Sequence, residues 1–178
     1  MDTISDFAKS LTVGDALDPN TQIGPMASAK QRDRVESYIS KGVSDGARII
    51  TGGDRPADLD RGYFVSPTVF SNVDNGHTIA QEEIFGPVLA VIPYHDVDEA
   101  IRLANDSDYG LGGSVWSEDP QRALEVANRI RTGSIGINSY VNDPVSPFGG
   151  IKASGLGREM GPEGLAGFQQ LKSVYQAP

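Results

Sequence analysis

The chain has 178 residues, 38% of them hydrophobic and 22% charged, enough for one globular unit with a sizeable core. Twenty-four acidic against 15 basic residues give a formal charge of −9, and no Lys/Arg cluster stands out, which argues against nucleic acid or an anionic membrane as partner. No cysteine is present, so disulfides, thiolate metal ligands and a cysteine nucleophile are excluded from these residues.

In chain order, the opening MDTISDFAKS lacks the basic-then-apolar signature of a secretory signal, and a cytoplasmic chain is expected. No apolar run approaches the roughly 20 residues of a membrane span. The stretch 28–42, SAKQRDRVESYISKG, predicts a helix. Ser28 and Gln31 read as a capping box, Val35, Tyr38 and Ile39 share a face, and Gly42 is placed at its end. ARIITGG predicts a short strand, and GYFVSPTVFSNV a strand broken by Pro67. GPVLAVIPY is a continuous apolar run of strand length, the pattern of a strand buried on both faces.

DVDEAIRLANDS then predicts a helix with Ile101, Leu103 and Ala104 inward, and GGSVWS a strand. EDPQRALEVANRIRTG predicts a helix with Pro120 in its first turn and Gly133 at its end, followed by the strand SIGINS. This alternation implies an α/β fold, a mainly parallel sheet with flanking helices. Residues 140–160 fit neither period and predict a long functional loop. PEGLAGFQQ predicts a short helix, and QLKSVYQ a final strand free to pair with another chain. His77 and His95 are too few for an all-histidine zinc site and lie in loop-like surroundings, so no metal site is expected.

The stretch AQEEIFGPVLAVIPYHD sets two carboxylates and an aromatic against a strand. In an extended segment Glu83 and Phe85 face one side, Glu82 and Ile84 the other. A carboxylate beside an aromatic suits a ligand with a diol and a flat ring, such as a nicotinamide riboside. The same residues also read as a surface carboxylate or helix-end charge and a core Phe.

EEIFGPV, ANDSDYGLGGSVW and GSIGINSY…SPFGGIKASGLGREMGPEGL followed by LKSV resemble the C-terminal part of the NAD(P)-dependent aldehyde dehydrogenases, and the likeness extends upstream through VGDALDPNTQIGPMASAKQ and GYFVSPTVF. It spans essentially the whole chain. The resemblance implies that Glu83 binds the hydroxyls of the nicotinamide-side ribose of NAD or NADP, and that Phe85 packs near the nicotinamide. It gives Gln31 a cofactor contact as an alternative to its capping role. It implies that Phe148 lines the aldehyde tunnel, the alternative being an ordinary core Phe, and that Tyr140, Val141 and Asn142 belong to the substrate-dependent loop. Asn138 is expected to serve as a structural hydrogen-bonding residue, and Arg158 with Glu159 as a structural charged pair.

The family's covalent mechanism uses a cysteine thiolate, a general-base glutamate and an oxyanion-stabilising asparagine. All three, with the Rossmann-type cofactor domain, are expected upstream of Met1, so no catalytic residue is assigned here. Ser139, Ser146 and Ser154 have no nearby His, which leaves a serine hydrolase without support. The resemblance implies residues 1–167 as a partial catalytic domain and 168–178 as an oligomerisation strand, with a homo-oligomer as the assembled form. The alternative is a non-catalytic subunit or oligomerisation module derived from the same family.

Overall fold

Ser28 caps the principal helix of the first half as its sequence predicts, its hydroxyl accepting from the Gln31 backbone N–H. The computed structural model describes residues 1–141 and 143–178, in two units, Met1–Pro93 and Tyr94–Pro178.

The first unit contains α1 (Asp2–Ser10), α2 (Ala29–Ser44), β1 (Arg48–Thr51), β2 (Thr68–Ser71), α3 (Thr78–Gln81) and β3 (Val88–Ala90). Helix α2 does not stop at Gly42. It runs to Ser44, and Gly46 at φ +97° ends it, with its N–H on the Val43 carbonyl. Gly42 is small for packing: a Cβ there would lie 2.9 Å from Ile79 Cδ1 and 3.0 Å from Phe70 Cζ. Strand β2 starts directly after Pro67, pairs antiparallel with β1 and parallel with β3, and is buried along its whole length. Phe70, Val35, Ile39, Val65, Val73, Ile79 and Ile84 form the core.

The run GPVLAVIPY was expected to be buried on both faces. Its strand is instead an edge of the three-stranded sheet, with Leu89 exposed. An apolar run reports strand propensity, not how many neighbours the strand acquires.

The second unit contains α4 (Val97–Asn105), β4 (Gly112–Val115), α5 (Pro120–Ala127), β5 (Ser134–Ile137) and α6 (Gly161–Ala166). β4 and β5 pair in parallel register from Gly112↔Ser134 to Val115↔Ile137, and α5 packs on both. Ile101 is buried and Leu103 half-buried, but Ala104 is exposed. α5 is capped by Asp119 and ends at Ala127, well before the expected stop at Gly133. Among the described residues two of the three strand pairings are parallel, but the strands form two small sheets rather than one, and β1–β2 is antiparallel. Residues 168–178 pair with no strand among the described residues and are exposed throughout. No helix among the described residues is long and apolar enough to cross a membrane.

Candidate functional site

The segment between α3 and β3 is where the two carboxylates part. Glu82 accepts a 2.7 Å hydrogen bond from the Tyr38 hydroxyl, which ties it to α2. That bond raises the Tyr38 phenol above its ordinary pKa. Ile84 is buried in the core. Glu83 is exposed, and its carboxylate has no hydrogen bond or ion pair among the described residues. Phe85 is 74% exposed and holds a left-handed backbone at φ +53°, a costly conformation for a bulky residue. Glu82 and Ile84 are thus taken up by the fold, and the side chains of Glu83 and Phe85 are left exposed.

Gln31 fills half of its expected capping role, and its side chain is committed to another part of the chain. Its backbone N–H completes one half of the capping box, but its side-chain amide does not return to Ser28. Nε2 instead donates to the carbonyls of Ile84 at 3.2 Å and Phe85 at 2.9 Å. Arg34 and Tyr38 join it on the same segment, through the Glu83 carbonyl and the Glu82 carboxylate. Sequence reading passed over Arg34, although residues 31, 34 and 38 share a helix face by spacing.

In the second unit, Tyr140, Val141 and Phe148 line one cavity of about 220 Å³, together with Ser146 and the residues of β5 from Ser134 to Gly136. The Tyr140 and Ser134 hydroxyls lie 2.7 Å apart. Phe148 is half-buried and paired with Glu159 through N–H···O bonds of 2.8 and 2.7 Å, so the long loop is folded back on itself. Asn142 lies outside the described residues. Gly136 lets this loop lie against β5, since a Cβ there would stand 1.7 Å from the Ser139 carbonyl oxygen.

Asn138 has the structural role expected. Its amide bonds both the N–H and the C=O of Ser117 at 2.8 Å, from a left-handed backbone at φ +51°. Arg158 and Glu159 do not form the expected charged pair. The Arg158 guanidinium donates to the Gly150 and Gly157 carbonyls, because the loop turns those acceptors toward it. Lys152 similarly donates to the Asn105 and Ser107 carbonyls, which joins GGIKASG to ANDSDYG. Among the described residues no group of three or more His, Cys, Asp or Glu is placed to hold a metal ion.

The model of the aldehyde dehydrogenase family matches residues 1–174. The chain belongs to the aldehyde dehydrogenase family. Geranial dehydrogenase of Castellaniella defragrans is 54% identical over 175 residues, which cover 98% of this chain and 36% of that protein. A putative aldehyde dehydrogenase of Bacillus subtilis is 50% identical, covering 98% and 35%. The crystal structure of a Mycobacterium tuberculosis aldehyde dehydrogenase complexed with NAD+ superposes with a TM-score of 0.93 at 54% identity, covering 99% of this chain and 38% of that one. A Pseudomonas syringae aldehyde dehydrogenase complexed with NAD+ and octanal gives a TM-score of 0.87 at 44% identity, covering 90% and 33%. The chain thus spans about a third of the length of the aldehyde dehydrogenases it matches.

Proposed function

We propose that this chain works as part of an aldehyde dehydrogenase that oxidises an aldehyde to a carboxylic acid with NAD or NADP as hydride acceptor. The observation that carries the reading is the unpartnered, exposed carboxylate of Glu83 beside the exposed ring of Phe85, within a segment whose other side chains are committed to the fold. That pairing fits a ribose diol and a flat ring: Glu83 accepts hydrogen bonds from the hydroxyls, and Phe85 packs by the nicotinamide. The cofactor supplies the hydride acceptor. Gln31 contributes by holding the segment, through the Ile84 and Phe85 carbonyls. Phe148, Tyr140 and Val141 are proposed to face the aldehyde, supported by the cavity they share, and Asn142 is proposed with them from its place in the same loop.

The covalent step of this chemistry needs a thiolate, and the 178 residues contain no cysteine. The chain by itself is therefore expected to oxidise no aldehyde, and self-association through 168–178 is proposed for the assembled protein. The test is Glu83→Gln in an intact aldehyde dehydrogenase carrying this segment. The amide keeps the shape and loses hydrogen bonds to a charged acceptor, worth about 1.5–3 kcal/mol. Weaker cofactor binding and slower turnover with an intact fold are expected. Unchanged cofactor constants would return Glu83 to an ordinary surface role.

A further inference from the structure

We infer that Arg34 and Tyr38 are positioning residues for Glu83, forming with Gln31 a clamp on one face of α2 that fixes the backbone from which its carboxylate projects. The inference rests on the reading of Glu83 as the ribose-binding group.

Residues 31, 34 and 38 recur at helical spacing, and each reaches a different point of the four-residue segment 82–85. Gln31 Nε2 holds the carbonyls of Ile84 and Phe85. One nitrogen of the Arg34 guanidinium lies 3.1 Å from the Glu83 carbonyl and 3.1 Å from the Tyr38 hydroxyl. The guanidinium also stands 5.2 Å from the centre of the Tyr38 ring, within cation–π range. The Tyr38 hydroxyl donates in turn to the Glu82 carboxylate at 2.7 Å. The chain Arg34–Tyr38–Glu82 thus closes around the backbone of Glu83.

Two further observations show that the segment is seated rather than loosely tethered. Phe85 adopts φ +53°, which for a non-glycine residue persists only where the surroundings enforce it, and its own carbonyl is one of those gripped by Gln31. Gly86 lies hard against α2, where a Cβ would come within 2.5 Å of Val35 Cγ2. The only side chain of 82–85 besides Phe85 left uncommitted is Glu83. A flexible carboxylate must be ordered when it binds a diol, and a backbone already fixed lowers that cost.

The roles separate in a double-mutant cycle on an intact aldehyde dehydrogenase carrying this segment, with steady-state kinetics at varied NAD+. Tyr38→Phe keeps the ring and removes the donor to Glu82. Arg34→Met keeps an unbranched side chain and removes both hydrogen bonds and the cation–π contact. Each is expected to raise the KM for NAD+ roughly 3- to 10-fold, the effect of losing a net hydrogen bond. Arg34→Lys should recover part of the loss. In a Glu83→Gln background neither substitution should change the KM further, because both act through Glu83. A purely stabilising role would leave the KM alone and lower the melting temperature of the cofactor-free enzyme.

If Glu83→Gln raises the KM and Tyr38→Phe and Arg34→Met do not, the clamp is wrong and the reading of Glu83 stands. If their effects add to that of Glu83→Gln, they act elsewhere and the inference falls. If Glu83→Gln itself leaves the KM unchanged, the reading and the inference fall together.

Discussion

The 2.7 Å hydrogen bond from Tyr38 separates Glu82 from Glu83, two residues that sequence alone presents as a pair. Period-two alternation predicts that they point to opposite sides, since it depends only on backbone geometry. The side chains that would take up Glu82 were not legible, because that depends on how α2 meets the segment between α3 and β3. Gln31 shows the same limit: the capping motif predicts its N–H correctly, while its amide is drawn away by two carbonyls more than 50 positions along the chain. The candidate aldehyde residues allow a matching test. Phe148→Ala in an intact enzyme carrying this segment is expected to change aldehyde preference more than cofactor affinity. A change confined to the NAD+ constants would put Phe148 on the wrong side of the site. Gly136→Ala places a Cβ 1.7 Å from a backbone oxygen, with no flexible end to yield. It is expected to destabilise the chain by about 1–3 kcal/mol and to displace Tyr140, read as a lower melting temperature with altered Tyr fluorescence. A melting temperature equal to the parent's would show that the loop does not rest on β5.

At the scale of elements, the long apolar-periodic segments were legible and their edges were not. α2 was foreseen from its cap and its apolar face, but its end was misplaced at Gly42, a glycine required by the packing of Phe70 and Ile79 rather than by a turn. α1 and α3 carry no comparable signal: α3 is a single four-residue turn, and α1 has only Ser5 and Ala8 buried. Neither signal distinguishes one sheet from two, since sheet membership is set by crossovers and not by strand composition. A surface ion pair gives a check on how loops attach to α2. Arg55 is paired with Glu36 and pulls the Glu36 carboxyl below its ordinary pKa. A depressed carboxylate contributes stability at pH values above the unfolded-state pKa, and loses it as pH falls through the lower folded value. Both groups are exposed to solvent, so screening keeps the contribution small at neutral pH. Arg55→Ala is expected to lower the melting temperature slightly at pH 7, by less at high salt, and not at all once the pH is below the folded value. A pH-independent difference would assign the effect to lost packing instead.

For the molecule as a whole, the exposed apolar surface is the feature that a lone chain would not be expected to tolerate. Phe168, Leu171, Val174 and Tyr175 are all at least 80% exposed, in a stretch without a strand partner among the described residues. β-forming side chains with unpaired backbone are an association site. Deleting 168–178 is expected to reduce self-association of the purified chain and leave its circular dichroism largely intact. A monodisperse monomer at high concentration, with or without those residues, would contradict that expectation. The family membership rests on nearly the whole length of the chain, and the site reading rests on Glu83. The most direct measurement is a crystal structure, with NAD+ bound, of an intact aldehyde dehydrogenase carrying this segment. The Glu83 carboxylate is expected within about 2.5–3.0 Å of the nicotinamide-side ribose hydroxyls, with the Arg34–Tyr38–Glu82 contacts retained. A ribose held by other groups, with Glu83 still in solvent, would contradict it.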